Sequence, residues 1–255
     1  MSTEAILALS IVVLAFLLIV IFWIWARRSG QPPALRVMPA FRDLPQRTGE
    51  SVESGKRIHV SLGSGAIGGA NTASALAGLN VLEAVAEAST VSDKPPIVTA
   101  GDGAAMMLAQ NTFRRAYKRQ NAEDRYDQLA SRLAGTTALS YTAGVMTTLK
   151  DEDVSTNIII GSVGPEVALM ADAGWGQKAH QVIGADNVQA QAQAYVAADQ
   201  ALIGEDMFAA GAYLGHKPLH RASLQAQDVL RIVVIAVIVL GPFIAPVLRS
   251  AGVIK

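Results

Sequence analysis

The stretch Arg57–Leu82, RIHVSLGSGAIGGANTASALAGLNVL, decides the fold. A short apolar run, RIHVSL, leads into Gly63-x-Gly65-x-x-Gly68. An alanine-rich segment, Asn71–Ser89, follows with Leu76, Leu79, Val81, Leu82, Val85 and Ala86 on one helical stripe. Strand, glycine turn and helix is the order a dinucleotide-binding turn requires. It is equally the order of a tight crossover in any parallel sheet.

The same unit recurs. PPIVTAGDG is a second short strand that ends at Gly101, and AAMMLAQNTFRRAYKRQ follows as a helix. Asn157–Ile160 reads as a buried strand, with Gly161 after it and Pro165 in the first turn of a helix, where proline is tolerated. HQVIGADN carries Gly184, and the helix VQAQAQAYVAADQAL takes its start signal from Asp186 or Asn187. Between these units AEDRYDQLASRLAG reads as polar loop and helix, and LSYTAGVMTTLKDED stays open between strand and helix. Strands that alternate with helices predict an α/β fold: an open, mostly parallel, Rossmann-like sheet with helices on its faces. Right-handed crossovers place the turns at Gly63, Gly101, Gly161 and Gly184 on one edge, the carboxyl edge of the strands.

Outward from this middle, each end is apolar. Ala5–Trp25 is 21 residues without a charge, enough at about 1.5 Å per residue to span a hydrocarbon core of roughly 30 Å. Trp23 and Trp25 close it and Arg27 and Arg28 follow, the pattern of a membrane interface. A cleaved signal peptide fits poorly, because MSTE has no positive charge and no small-x-small site follows. The second run, Ile232–Leu248, has 17 residues between Arg231 and Arg249. Gly241-Pro242 and Pro246 are expected to kink or break it, and a segment lying in the interface is its alternative reading. The organisation expected is a transmembrane helix or signal anchor over 1–28, a proline-containing juxtamembrane linker over 29–55, a soluble α/β domain over 56–215, and a basic linker with a transmembrane or membrane-associated segment over 216–255.

Charge supports this division. The formal net charge is zero, yet residues 58–214 hold nine basic and sixteen acidic side chains, and the flanks are basic. An acidic middle lacks the footprint that attracts phosphate, which excludes nucleic acid as its partner. The arginines and lysines beside the two apolar runs put the middle domain in the cytoplasm by the positive-inside rule and set basic flanks against anionic lipid. The chain has no cysteine, so disulfides, thiolate metal sites and cysteine nucleophiles are ruled out.

The candidate ligand-binding residues lie at the glycine-rich edge: Gly63, Ser64, Gly65, Gly68, Asp102, Ser162 and Asp186, with Ser61 and Glu166 beside them. Serine and aspartate at these positions are also ordinary helix caps. For a dinucleotide, an acid is required about 20 residues after the turn. That distance falls on Glu83 and Glu87, inside the helix, and Asp102 comes far later. No Gly-Lys-Ser/Thr phosphate loop and no Gly-x-Ser-x-Gly elbow is present. His59 reads as a packed or edge strand residue, and His216 and His220 are separated by Pro218. No metal site, catalytic residue or cofactor is assigned. Arg114, Arg115, Lys118 and Arg119 form a basic helix face that is either solvated or complementary to an acidic face of another subunit.

The strings HVSLGSG, SALAGLNVL, PPIVTAGDGA, AEDRYD, GSVGPEVALMADAG and LIGEDMFAAGAYLG resemble an uncharacterised family of bacterial membrane-anchored proteins, a domain of unknown function. The resemblance covers about His59–Gly215 and implies a tethered cytoplasmic domain at the bacterial inner membrane, with no chemistry attached. The function expected first is a non-enzymatic scaffold or assembly module. Its α/β domain forms a homo-oligomer or docks a membrane-protein partner. The alternative is a small-ligand or nucleotide-binding domain, enzymatic or not, that uses the glycine-rich edge.

Overall fold

The structure is a computed structural model that describes residues 3–29, 35–215 and 218–250. In chain order the elements are helices α1 (Thr3–Ser29), α2 (Pro39–Arg42) and α3 (Leu44–Glu53), strand β1 (Arg57–Gly63), α4 (Thr72–Ala88), β2 (Ile97–Ala100), α5 (Gly103–Arg119), β3 (Ser131–Leu133), α6 (Ala138–Asp151), β4 (Val154–Ser162), α7 (Val167–Gly176), β5 (His180–Ala185), α8 (Val188–Ala197), β6 (Gln200–Leu202), α9 (Ala210–Tyr213) and α10 (Pro218–Ser250). Short 3-10 turns cover Glu123–Arg125, Gln128–Ala130 and Gly204–Ala209. The chain divides into two units: Val37–Gly215, and a helical unit built from the two ends.

In the helical unit α1 and α10 pack on one another. Both are long and apolar enough to cross a membrane, over Glu4–Arg28 and Pro218–Leu240. The Arg27 guanidinium stacks on the Trp23 ring at 4.2 Å, which joins the aromatic and basic ends of the first span. The expected break at Gly241-Pro242 and Pro246 is not found. The backbone of α10 stays helical through both, since one proline removes only one bond of the ladder. His220 lies in the first turn of that helix; His216 and Lys217 are outside the described residues, as is the Arg249 side chain.

Val37–Gly215 holds one sheet of six strands in the order β3-β2-β1-β4-β5-β6. Every pairing is parallel. Starting at β1, the chain steps outward through α4, β2, α5 and β3, then α6 carries it back to β4 beside β1, and α7, β5, α8 and β6 extend the other half. This is the doubly wound order, with its reversal between β1 and β4. α4 and α5 pack together, and α6, α7 and α8 form the other layer. Covered on both faces, the central strands are apolar without alternation: Ile158, Ile159 and Ile160 are all completely buried. The proline-bearing stretch before β1 folds into α2 and α3, and it buries Met38, Phe41 and Leu44.

Two readings of local structure are corrected. The helix expected over VQAQAQAYVAADQAL stops at Ala197, and Gln200–Leu202 is the edge strand β6. ASRLAG, read as polar loop and helix, supplies β3 at the opposite edge. Three-residue strands leave too little periodicity to read. The undecided LSYTAGVMTTLKDED is helix α6, started by a capping box in which Thr137 and Ser140 bond each other's backbone.

Candidate functional site

The glycine turn opens where β1 and β4 part. Gly63 ends β1 with φ +81°, and a Cβ there would lie 2.4 Å from the Ser162 carbonyl. Ser64 N donates to that carbonyl at 2.9 Å, and Gly101 N donates to Gly63 O at 3.0 Å, so three strand ends are stitched together. Gly65 is forced by the protein's own packing: a Cβ would meet the Asn71 and Ser162 side chains at 2.7 Å. Gly68 has φ +97° and open space around it. The close approach of helix to sheet falls instead at Gly78, whose Cβ would stand 2.4 Å from Ile160 O. The three glycines therefore do not divide the work as a dinucleotide fingerprint does, with the second glycine freed for the ligand and the third for helix packing.

The acid sought after the second strand is present. Asp102 follows β2, and its Oδ2 accepts from Ala105 N at 3.0 Å, which caps α5, and from Ile67 N at 3.4 Å within the glycine turn. A long α4 and the loop after it, not a different topology, lengthen the spacing. Glu83 and Glu87 instead bind Arg119 on the outer face, at 2.8 and 2.7 Å.

Above the β1/β4 reversal lies a cleft of about 550 Å³ lined by Ser64, Asn71, Ser74, Ser162, Asp186 and Phe208, among others. Three predicted residues, Ser64, Ser162 and Asp186, thus meet in one place. Asp186 does not cap α8. Its Oδ2 accepts from Ser74 Oγ at 2.7 Å, and Asn187 caps the helix by accepting from Gln189 N and Ala190 N. Gly63, Gly65, Gly68 and Asp102 shape the turn beside the cleft. Glu166 folds back on Gly164 N at 2.9 Å. Asn71, Ser74 and Phe208 were missed by the sequence reading. The first two follow the glycine turn directly, which is the signal that could have found them; Phe208 arrives from beyond β6 and leaves no local mark. A second depression, of about 560 Å³, lies on α5 around Met107, Arg114 and Tyr126, and no strand end reaches it.

Beneath the turn a buried polar chain crosses four strands. Gly63 N and Ser61 Oγ meet the Tyr141 hydroxyl at 3.1 and 2.7 Å. Tyr141 reaches Thr99, and Thr99 Oγ1 lies 2.9 Å from His59 Nε2. His59 Nδ1 lies 2.8 Å from Asn157 Oδ1, Asn157 Nδ2 donates to Gln181 Oε1 at 2.7 Å, and Gln181 Nε2 donates to Ala171 O. The amide directions fix the rest. Asn157 Oδ1 can only accept, so neutral His59 carries its proton on Nδ1 and takes the Thr99 hydroxyl on Nε2. Burial depresses the His59 pKa to about 4 and keeps it neutral; the same burial raises that of Tyr141. His59 is thus a packed central residue, not an edge one.

The charged runs resolve in part. Glu152 of the KDED run binds Arg57 and Arg132, and Asp153 binds Lys56. Of the basic helix face only Arg119 is ion-paired among the described residues.

Residues 2–253 match the family model of a domain of unknown function, DUF6754. The chain belongs to that family. No curated protein and no solved structure matches it. The family carries no stated chemistry, so the site rests on its own geometry.

Proposed function

We propose that this family member is a non-enzymatic, membrane-tethered binding module whose α/β domain faces the cytoplasm and takes a small hydroxyl-rich ligand of nucleoside type. The observation that carries this is the convergence of Ser64, Asn71, Ser74, Ser162 and Asp186 on one cleft at the β1/β4 reversal. Open α/β sheets bind ligands at that point, beyond the carboxyl ends of the strands. The chemistry of the lining selects the class. No lysine or arginine is among the lining residues, and Asp186 supplies a carboxylate, which favours hydroxyl donors over a bare anion. Phe208 offers a partly exposed ring for a base or sugar face. The N–H groups of Gly65 and Ala66, without protein acceptors among the described residues, suit a ligand oxygen at the turn.

The test is thermal unfolding of the full chain in mild detergent against a panel of nucleosides, nucleotides and sugars. A ligand that binds only the folded state raises the midpoint in a saturable way. The rise should vanish in Asp186→Ala. A panel that moves nothing, or a rise unchanged in both Asp186→Ala and Ser162→Ala, defeats the reading. The topology has its own test. A reporter fused after Lys255 and another inserted near Glu152 should label on opposite sides of the membrane; labelling on one side overturns the two-span arrangement.

A further inference from the structure

One short helical rod joins the cleft to both ends of the domain. Phe208 lines the cleft and is 40% exposed. It stands on the 3-10 turn Gly204–Ala209, which passes into α9 without a break. Ala210, at the junction, has φ −47° and ψ −44°, and Leu214 N donates to Ala210 O at 2.9 Å. At the far end of the rod Tyr213 stacks on Phe41 of α2, with ring centroids 5.6 Å apart and planes 28° from parallel. α2 is also tied to β6, through Gln200 Nε2, which donates to Asp43 Oδ2 at 3.1 Å. The domain runs from Val37 to Gly215, so the stacked rings belong to its first and last turns of helix. From these two ends the chain continues to α1 on one side and α10 on the other.

We infer, on the reading of the cleft as a ligand site, that this rod relays occupancy of the cleft to the two points where the domain joins its apolar helices, so that the domain acts as a sensor. The make-up of the rod favours movement as a unit. Between Phe208 and Tyr213 stand only Ala209, Ala210, Gly211 and Ala212, all buried. Side chains this small present a smooth face, over which a packed helix shifts in small shear steps. Its hydrogen-bonded backbone resists absorbing a push by rotation about φ and ψ. The two rings are about 7–10 Å apart along such a helix, at ~1.5–2 Å per residue. Gly204, with φ +62°, is where the rod leaves β6, and its N–H donates to Gln191 Oε1 of α8 at 3.2 Å. A 3-10 stretch of this kind is a common place for a hinge. A ligand that packs on the Phe208 ring therefore shifts the Tyr213 ring, and Phe41 with it. Such a shift requires contacts that differ between two positions of the rod, and Phe208 is the cleft residue that supplies them.

Amide hydrogen exchange on the full chain in mild detergent, with no ligand added, tests the relay. Phe208→Ala should speed exchange in residues 37–43 about two- to tenfold, the range for one weakened aromatic pair. Exchange in β2 and α5 should stay level, which separates the relay from general loosening. Tyr213→Leu removes the stack and should speed 37–43 by itself; Phe208→Ala on top of it should then add nothing there. A second arm leaves the rod intact. The chain has no cysteine, and Asn71 lines the cleft without a side-chain bond that caps α4. Asn71→Cys therefore takes N-benzylmaleimide at one place and sets a ring in the cleft. Labelling should change exchange in residues 37–43 by at least about twofold against the unlabelled variant, and should change nothing there once Tyr213→Leu is added. Effects of Phe208→Ala confined to residues 204–209, additive effects of Phe208→Ala and Tyr213→Leu, or a label that leaves residues 37–43 unmoved each overturn the relay. None of these outcomes depends on whether the nucleoside panel raises the unfolding midpoint, so failure of the relay and failure of the cleft reading are told apart.

Discussion

The N–H of Gly63 donates to the Tyr141 hydroxyl across 3.1 Å, deep inside the domain. The bond joins the last residue of β1 to a helix from the other half of the sheet. It holds the glycine turn at the height where Ser64 and Ser162 meet. Gly63 has φ +81°, a conformation that costs any other residue strain. The turn is therefore set from below by one phenol.

Tyr141→Phe should show this. The ring fits the same space, but Gly63 N loses its acceptor and Ser61 Oγ its hydrogen-bond partner in a completely buried place. An unsatisfied buried group costs about 1–3 kcal/mol. Urea unfolding of the full chain in detergent should show a loss in that range, with the slope unchanged. A loss within error of zero means that the turn holds itself.

Asp102 separates shape from charge. Its carboxylate caps α5 through Ala105 N and reaches Ile67 N. Asp102→Asn retains an acceptor oxygen and should cost a few tenths of a kcal/mol. Asp102→Ala removes the cap and should cost about 1 kcal/mol. Equal losses in the two variants place the effect in the charge and not in the cap.

The doubly wound core was legible because its signals are local. β1 and β2 run into glycine turns at Gly63 and Gly101 followed by helical spacing, whereas Gly161 and Gly184, read as turns, are the next-to-last, paired residues of β4 and β5; the four strand ends still lie on one edge. What escaped was set by long-range contact. β3 and β6 are three-residue strands whose extended state comes from pairing with β2 and β5. Asp102 was discounted on spacing, yet the sheet returns it to the turn. Ser64, Ser162 and Asp186 were readable as edge residues, but the Ser74–Asp186 bond joins positions 112 residues apart. Phe208 and Tyr141 reach the site from elements with no motif.

Gly78 reverses a general rule. Glycine inside a helix ordinarily costs roughly 0.5–1 kcal/mol relative to alanine, so Gly→Ala stabilises. At Gly78 the added methyl would sit 2.4 Å from Ile160 O and 2.8 Å from the Leu62 side chain, and the carbonyl belongs to a central strand that cannot retreat. Overpacking costs about 1–3 kcal/mol or more. Gly78→Ala should therefore lower the unfolding midpoint, whereas Gly49→Ala in α3, with open space around it, should leave it level or raise it. A stabilised Gly78→Ala would mean that α4 stands further from the sheet.

His59 should make stability depend on pH in a window of its own. Its folded pKa, about 4, lies below the ordinary value of 6.5, so the folded state keeps it neutral where the unfolded chain takes up a proton. Unfolding then binds protons between those two values, and stability falls as pH drops through that window. The loss saturates near about 3 kcal/mol, since one pKa unit corresponds to ~1.4 kcal/mol. Between pH 5 and 6.5 few carboxylates titrate. His180, also depressed by burial, adds a contribution of the same sign. Comparison with His59→Gln isolates the central residue, because glutamine can donate to Asn157 Oδ1 and accept from Thr99 without titrating. Urea unfolding at steps from pH 7 to 5 should show a steeper decline in the wild type than in His59→Gln. Parallel slopes would mean that His59 accepts its proton within the fold, and the assignment of its neutral proton to Nδ1, facing Asn157 Oδ1, would fail with it.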